Sequence, residues 1–71
     1  MKTFKSHLGT KYFVDDKIGN VYILKRNGAY CLSKHMTMIS HDDMLCLNDK
    51  PWFGTLKEIK EIINNNYSIG Y

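Results

Sequence analysis

"VYILKRNGAYCLSK", residues 21–34, decides the fold of this 71-residue chain. Two β-prone runs flank Asn27-Gly28, the pair that best supplies the two positive-φ positions of a type I′ turn, whose twist matches that of paired strands. The stretch is therefore read as a hairpin. A two-residue loop sets the register: Arg26 is expected opposite Ala29, Lys25 opposite Tyr30, Leu24 opposite Cys31, Ile23 opposite Leu32 and Val21 opposite Lys34. One face then carries Tyr22, Leu24, Ala29 and Cys31. The other carries Val21, Ile23, Lys25, Tyr30, Leu32 and Lys34. Both are partly apolar, and the pattern leaves open which one meets the core.

Working outward, "KYFVD" (residues 11–15) reads as a further strand, and "DDKIGN" (residues 15–20) as the turn that joins it to the hairpin. "KTFK" (residues 2–5) and "MLCLN" (residues 44–48) are expected to add short flanking strands. In "GTLKEIKEIINNN", residues 54–66, Thr55 and Glu58 form a T-x-x-E capping box. Leu56, Ile59, Ile62 and Ile63 follow on one helical stripe, with Lys57, Glu58, Lys60 and Glu61 facing solvent. A helix this short is marginal alone in water and needs a surface to lie on; the sheet is that surface. Trp52 and Phe53, just before it, are expected to close one end of the same core. The fold class predicted is α+β: an antiparallel meander of three to five strands with one C-terminal helix packed on a face, a single small domain over residues 1–71.

Composition limits the rest. A chain of this size buries only about 60% of the surface its unfolded form exposes, so its stability margin is small. An apolar fraction of 44% with 13% aromatic is that of a folded protein. The net charge of +3, from ten basic and seven acidic residues, favours an anionic partner only mildly. No stretch reaches the roughly 18 apolar residues of a membrane span, and "MKTFKSHLGTKYF" lacks the apolar segment of a signal peptide. The expected location is the cytoplasm of a bacterial host, with no membrane partner. The one biased tract is Asn64-Asn65-Asn66.

The two cysteines and two of the three histidines fall in "CLSKHMTMISHDDMLC", residues 31–46. Cys31, His35, His41 and Cys46 raise three possibilities: a zinc site, a Cys31–Cys46 disulfide, or two buried or half-buried cysteines beside two loop histidines. If the hairpin strand runs through Lys34, Cys31 and His35 lie about 13 Å apart on extended chain, too far to share a metal unless the chain doubles back. C-x3-H-x5-H-x4-C is not a common zinc spacing. The third reading is preferred, with no metal and no cofactor. An enzyme is not expected either: no glycine-rich phosphate loop is present, and Asp15-Asp16 and Asp42-Asp43 are read as solvated turn residues.

Binding remains. Lys25, Arg26, Tyr30 and Lys34 interleave basic and aromatic groups, as nucleic-acid-binding sheets do; the plainer alternative is that their stems shield Val21, Ile23 and Leu32. A three-stranded sheet followed by a helix opening "FGTLKE" (residues 53–58) resembles, over residues 11–65, the arm-type DNA-binding domain of phage and transposon integrases, itself similar in outline to plant AP2 domains. That resemblance implies a sheet set into the major groove through Lys25, Arg26, Tyr30 and Lys34, although this chain is less basic than those domains. Its size and its Lys-, Ile-, Asn- and Tyr-rich composition also resemble small phage-encoded proteins, among them anti-CRISPR and other host-takeover inhibitors. The second resemblance implies a non-enzymatic protein that covers a functional surface of a host protein stoichiometrically. Its contacts would be Lys25, Arg26, Tyr30 and Lys34, with Tyr67 and Tyr71 of the tail "YSIGY", because aromatics and Arg anchor interfaces. This is the preferred functional expectation; a DNA-binding sheet is the alternative.

Overall fold

The computed structural model describes residues 3–37 and 41–70. Among the described residues seven strands and one α-helix, with a short 3-10 helix at His41–Asp43 between β4 and β5, follow in order: β1 (Lys5–His7), β2 (Thr10–Asp15), β3 (Gly19–Arg26), β4 (Ala29–Ser33), β5 (Met44–Leu47), β6 (Trp52–Phe53), α1 (Leu56–Asn64) and β7 (Ile69–Gly70). All pairings are antiparallel, in the order β1-β2-β3-β4-β5-β7, with β6 also on β4. The α+β class with a single C-terminal helix is as expected. The sheet is longer than expected because β6 and β7, two residues each, join it.

Turn chemistry explains most of the meander. Among the described residues three two-residue turns have positive φ at both central positions: Leu8-Gly9 (51° and 81°), Asn27-Gly28 (52° and 81°) and Asn48-Asp49 (53° and 65°). Around Asn27-Gly28 the register is the expected one for Arg26, Lys25, Leu24 and Ile23. Pairing stops at Tyr22 opposite Ser33, so Lys34 does not face Val21 in the ladder; its N–H instead donates to the Asp43 carbonyl at 3.1 Å. The Leu8-Gly9 turn places His7 opposite Thr10 and so puts β1 at Lys5–His7; of the strand expected over residues 2–5, residue 2 lies outside the described residues and Lys5 alone of the rest is in β1. Phe4, expected in that strand, packs against the core instead. At the β2–β3 turn Asp15 Oδ2 accepts the N–H groups of Lys17 (2.9 Å) and Ile18 (3.0 Å).

β5 and β6 share one edge of β4. Met44 and Leu45 pair with Ser33 and Leu32, and Trp52 and Phe53 resume opposite Cys31 and Tyr30. Between them the chain leaves β4, turns at Asn48-Asp49 and returns, closed by reciprocal Leu47–Lys50 backbone bonds of 3.1 Å. Leu47 and Cys46 are thereby released to pair with Ile69 and Gly70 of β7.

The helix begins as its sequence predicts. Thr55 Oγ1 accepts the Glu58 N–H at 3.2 Å. The return bond from the Glu58 carboxylate reaches the N–H of Gly54 (3.3 Å) rather than that of Thr55. Its other oxygen takes Lys50 Nζ in an ion pair at the surface of the first turn. Ile59 and Ile63 are buried, and Leu56 and Ile62 pack beside them.

Phe13, Val21, Ile23, Leu32, Leu45, Leu47 and Phe53 meet Ile59 and Ile63 in one cluster. Burying each such side chain contributes roughly 1.5–3 kcal/mol. Alternation along β3 and β4 then identifies the helix side as the face carrying Val21, Ile23, Lys25, Tyr30 and Leu32. Trp52 corrects an expectation: it is 40% exposed and, opposite Cys31, belongs to the far face. Only Phe53 closes the core, because adjacent strand residues point to opposite sides. Leu24 and Cys31 are buried on the far face, outside the core cluster.

Candidate functional site

The Leu8-Gly9 and Asn27-Gly28 turns lie at the same end of the antiparallel sheet, since each follows a strand running in the same direction. There Gly9, Thr10 and Lys11 come alongside Lys25 and Arg26, and Ile23, Leu24, Tyr30, Met36 and Leu56 complete the lining of a cleft of about 370 Å³. The structure thus unites three residues singled out in the sequence, Lys25, Arg26 and Tyr30, with a cation the sequence reading passed over, Lys11. Lys25 Nζ stands 5.8 Å from the Tyr30 ring centroid, within cation–π range. Arg26 Nη1 donates to the Lys25 carbonyl at 3.1 Å.

Among the described residues no carboxylate pairs with Lys11, Lys25 or Arg26. Three cations around one cleft, with an aromatic ring and aliphatic walls, suit an anionic group presented beside an apolar one. Arg26 also acts on Cys31: burial pushes that thiol up, and the guanidinium offsets part of the rise.

Leu8 shares its turn with Gly9, which lines the cleft. Leu8 is 83% exposed and has φ of 51°, a region that costs an L-residue with a bulky side chain about 1–2 kcal/mol. Asn, Asp or Gly is the ordinary occupant of such a position. A leucine here is disfavoured both by the backbone and by exposure.

The other predicted contacts lie elsewhere. Lys34, half-buried, sits one residue past β4. Tyr67 is a structural tie: its hydroxyl donates to Asp15 Oδ1 at 3.0 Å, and its ring meets Phe13 edge-on at 6.1 Å. Beside it a hollow of about 530 Å³ runs from Asp16 to Ser68, where Asp15 is already engaged. Tyr71 lies outside the described residues, as does the side chain of His41.

Cys31 and Cys46 are free thiols. They would be the next cross-strand pair after Leu32–Leu45, but β5 diverges there, leaving Cys31 opposite Trp52 and Cys46 opposite Gly70. His35 is exposed, with Nε2 3.7 Å from Asp43 Oδ1. Among the described residues no three His, Cys, Asp or Glu side chains gather at metal-binding distance. No described helix is long and apolar enough to cross a membrane.

Compared with known families, curated proteins and solved structures, the chain matches none. Its chemistry must be read from its own surfaces.

Of the cleft, the Leu8-Gly9 turn was within reach of a sequence reading, since an X-Gly pair precedes the β-prone run Thr10–Asp15. Met36 and Leu56 were not, because only the closed fold brings them to Lys25.

Proposed function

We propose that this chain is a non-enzymatic binding protein that inhibits or modulates a host protein by stoichiometric occupation of its surface, in the manner of small phage or mobile-element accessory proteins of the anti-defence type, in the bacterial cytoplasm. The observation that carries this reading is exposed Leu8, held in a costly conformation in the turn whose Gly9 lines a cleft, together with Lys11, Lys25 and Arg26 of that cleft, which have no carboxylate partner among the described residues. An exposed apolar anchor beside unpaired cations complements an apolar socket rimmed by acidic side chains. Tyr30, half-buried in the cleft wall, supplies the aromatic contact.

The alternative is a DNA-binding sheet of the integrase-arm type. That mode needs the helix-free face in the groove. By register Lys25 and Tyr30 are on the helix side, and of the residues assigned by that resemblance Arg26 alone belongs to the helix-free side of the ladder. The cleft reading is preferred for this reason.

The two are separated by capture from host lysate with and without nuclease, using wild type, Leu8→Asn and Lys25→Glu/Arg26→Glu. A one-to-one protein complex that survives nuclease and weakens at least tenfold in both variants is expected. Capture lost on nuclease treatment, or indifferent to Leu8, would overturn the proposal.

A further inference from the structure

The sheet face turned away from α1 has a different chemistry. Register places Lys5, Tyr12 and Tyr22 in one cross-strand row, with the tyrosine ring centroids 5.4 Å apart and inclined at 40°. Trp52, 40% exposed, lies on the same face opposite Cys31. Exposed Arg26 stands at the turn end of β3. Phe4, Phe13 and Phe53 all pack into the core, so the rings left on this face are those whose polar tips tolerate water.

Among the described residues no outward strand position of this face carries a carboxylate. Asp15 is on the helix side, bonded to Tyr67. Asp16 and Asp49 occupy turns, Asp42 and Asp43 a short 3-10 helix, and Glu58 and Glu61 the α-helix.

We infer that this face is a binding site for single-stranded nucleic acid, with Tyr12, Tyr22 and Trp52 stacking bases and Lys5 and Arg26 holding phosphates. Leu24 and Cys31 on the same face are themselves buried, so they offer no apolar surface to a ligand. Planar unpaired bases suit this face better than a protein side chain does, and a duplex keeps its bases stacked on one another. From Tyr22 to Trp52 is two strands across and two residues along, about 12 Å by sheet spacing, a span suited to two or three bases. The two sites share Arg26, so Leu8→Asn and Lys25→Glu report on the cleft alone and Tyr12→Ala/Tyr22→Ala on this face alone.

The test is fluorescence anisotropy with labelled oligo-dT and oligo-rU of about ten nucleotides and a duplex of equal length, together with Trp52 emission. Micromolar binding of a single strand is expected, tighter than the duplex and accompanied by quenching of Trp52. The affinity should fall with salt with a logarithmic slope near about −1.4, for two phosphates neutralised. Tyr12→Ala/Tyr22→Ala should weaken binding at least tenfold, while Tyr12→Phe/Tyr22→Phe retains it. Lys5→Ala/Arg26→Ala, exposed and harmless to the core, should weaken binding and flatten the slope toward zero. Lys25→Glu should lower affinity no more than twofold. Absence of single-strand binding at low salt, equal or tighter duplex binding, or affinity unchanged in both the Ala-tyrosine and the Lys5/Arg26 variants would overturn the inference.

Discussion

Leu8 and Asn27 occupy equivalent positions in two turns, at φ of 51° and 52°. Asn27 is the residue that geometry prefers; Leu8 is not. Replacing Leu8 by Asn relieves backbone cost and exposed apolar surface together, so Leu8→Asn should raise stability by about 1 kcal/mol and Tm by about 4–8 °C. A thermal melt checks it, and a drop in Tm would mean that Leu8 has a role in the fold. Glu58 makes a second prediction. The hydrogen bond from Lys50 foremost, and that from the Gly54 N–H, hold its carboxyl below the ordinary glutamate range. A carboxyl with a depressed folded-state pKa stabilises the fold above its unfolded value, and that contribution is lost as pH falls through the folded one. Wild-type Tm should therefore fall more steeply below about pH 4.3 than that of Glu58→Gln. Because the pair is on the surface, added salt should shrink the difference.

At the scale of elements, α1 depends on its first turn and the tail depends on one asparagine. Thr55→Ala removes the acceptor for the Glu58 N–H and should cost about 0.5–2 kcal/mol. Asn48 takes positive φ, its Oδ1 accepts the Ser68 N–H at 2.7 Å, and its own N–H donates to the Ser68 carbonyl at 2.8 Å. Asn48→Ala loses the side-chain bond and strains the turn. Hydrogen exchange should then show lost protection at residues 68–70, with α1 unchanged. The helix ends inside the asparagine tract, where Asn65 Nδ2 donates to the Glu61 carbonyl at 2.8 Å and the Asn65 N–H to that of Ile62 at 3.1 Å. A tract that looks featureless in the sequence is thus a helix stop, since Asn competes for backbone bonds more readily than it continues a helix.

For the whole molecule, the decisive contact is one helix stripe on one sheet face. Ile59 is fully buried among strand residues, and Ile59→Ala should cost about 2–5 kcal/mol. A chain of this length has a total stability of only roughly 4–10 kcal/mol. Ile59→Ala should therefore unfold far below the wild-type Tm, whereas Leu56→Ala, at the half-buried rim, should cost less than half as much. Comparable losses at both positions would mean that the helix sits differently on the sheet.

What could be read from residues alone was whatever is set within a few positions of chain. Asn27-Gly28 dictates its own turn and four cross-strand partners. Thr55 and Glu58 mark a helix start, and Leu56, Ile59, Ile62 and Ile63 mark its inner stripe. These are near-neighbour effects, settled by backbone sterics and short-range hydrogen bonds. The closed fold decided what depends on distant neighbours. The hairpin's two faces are similarly apolar, so only the helix arriving some thirty positions later selects the Val21–Ile23–Leu32 side. Trp52 and Phe53 part to opposite faces because β6 finds an edge of β4 that β5 has left. The cleft exists because Lys11, Lys25, Met36 and Leu56, remote in sequence, converge when the hydrophobic core closes beneath them.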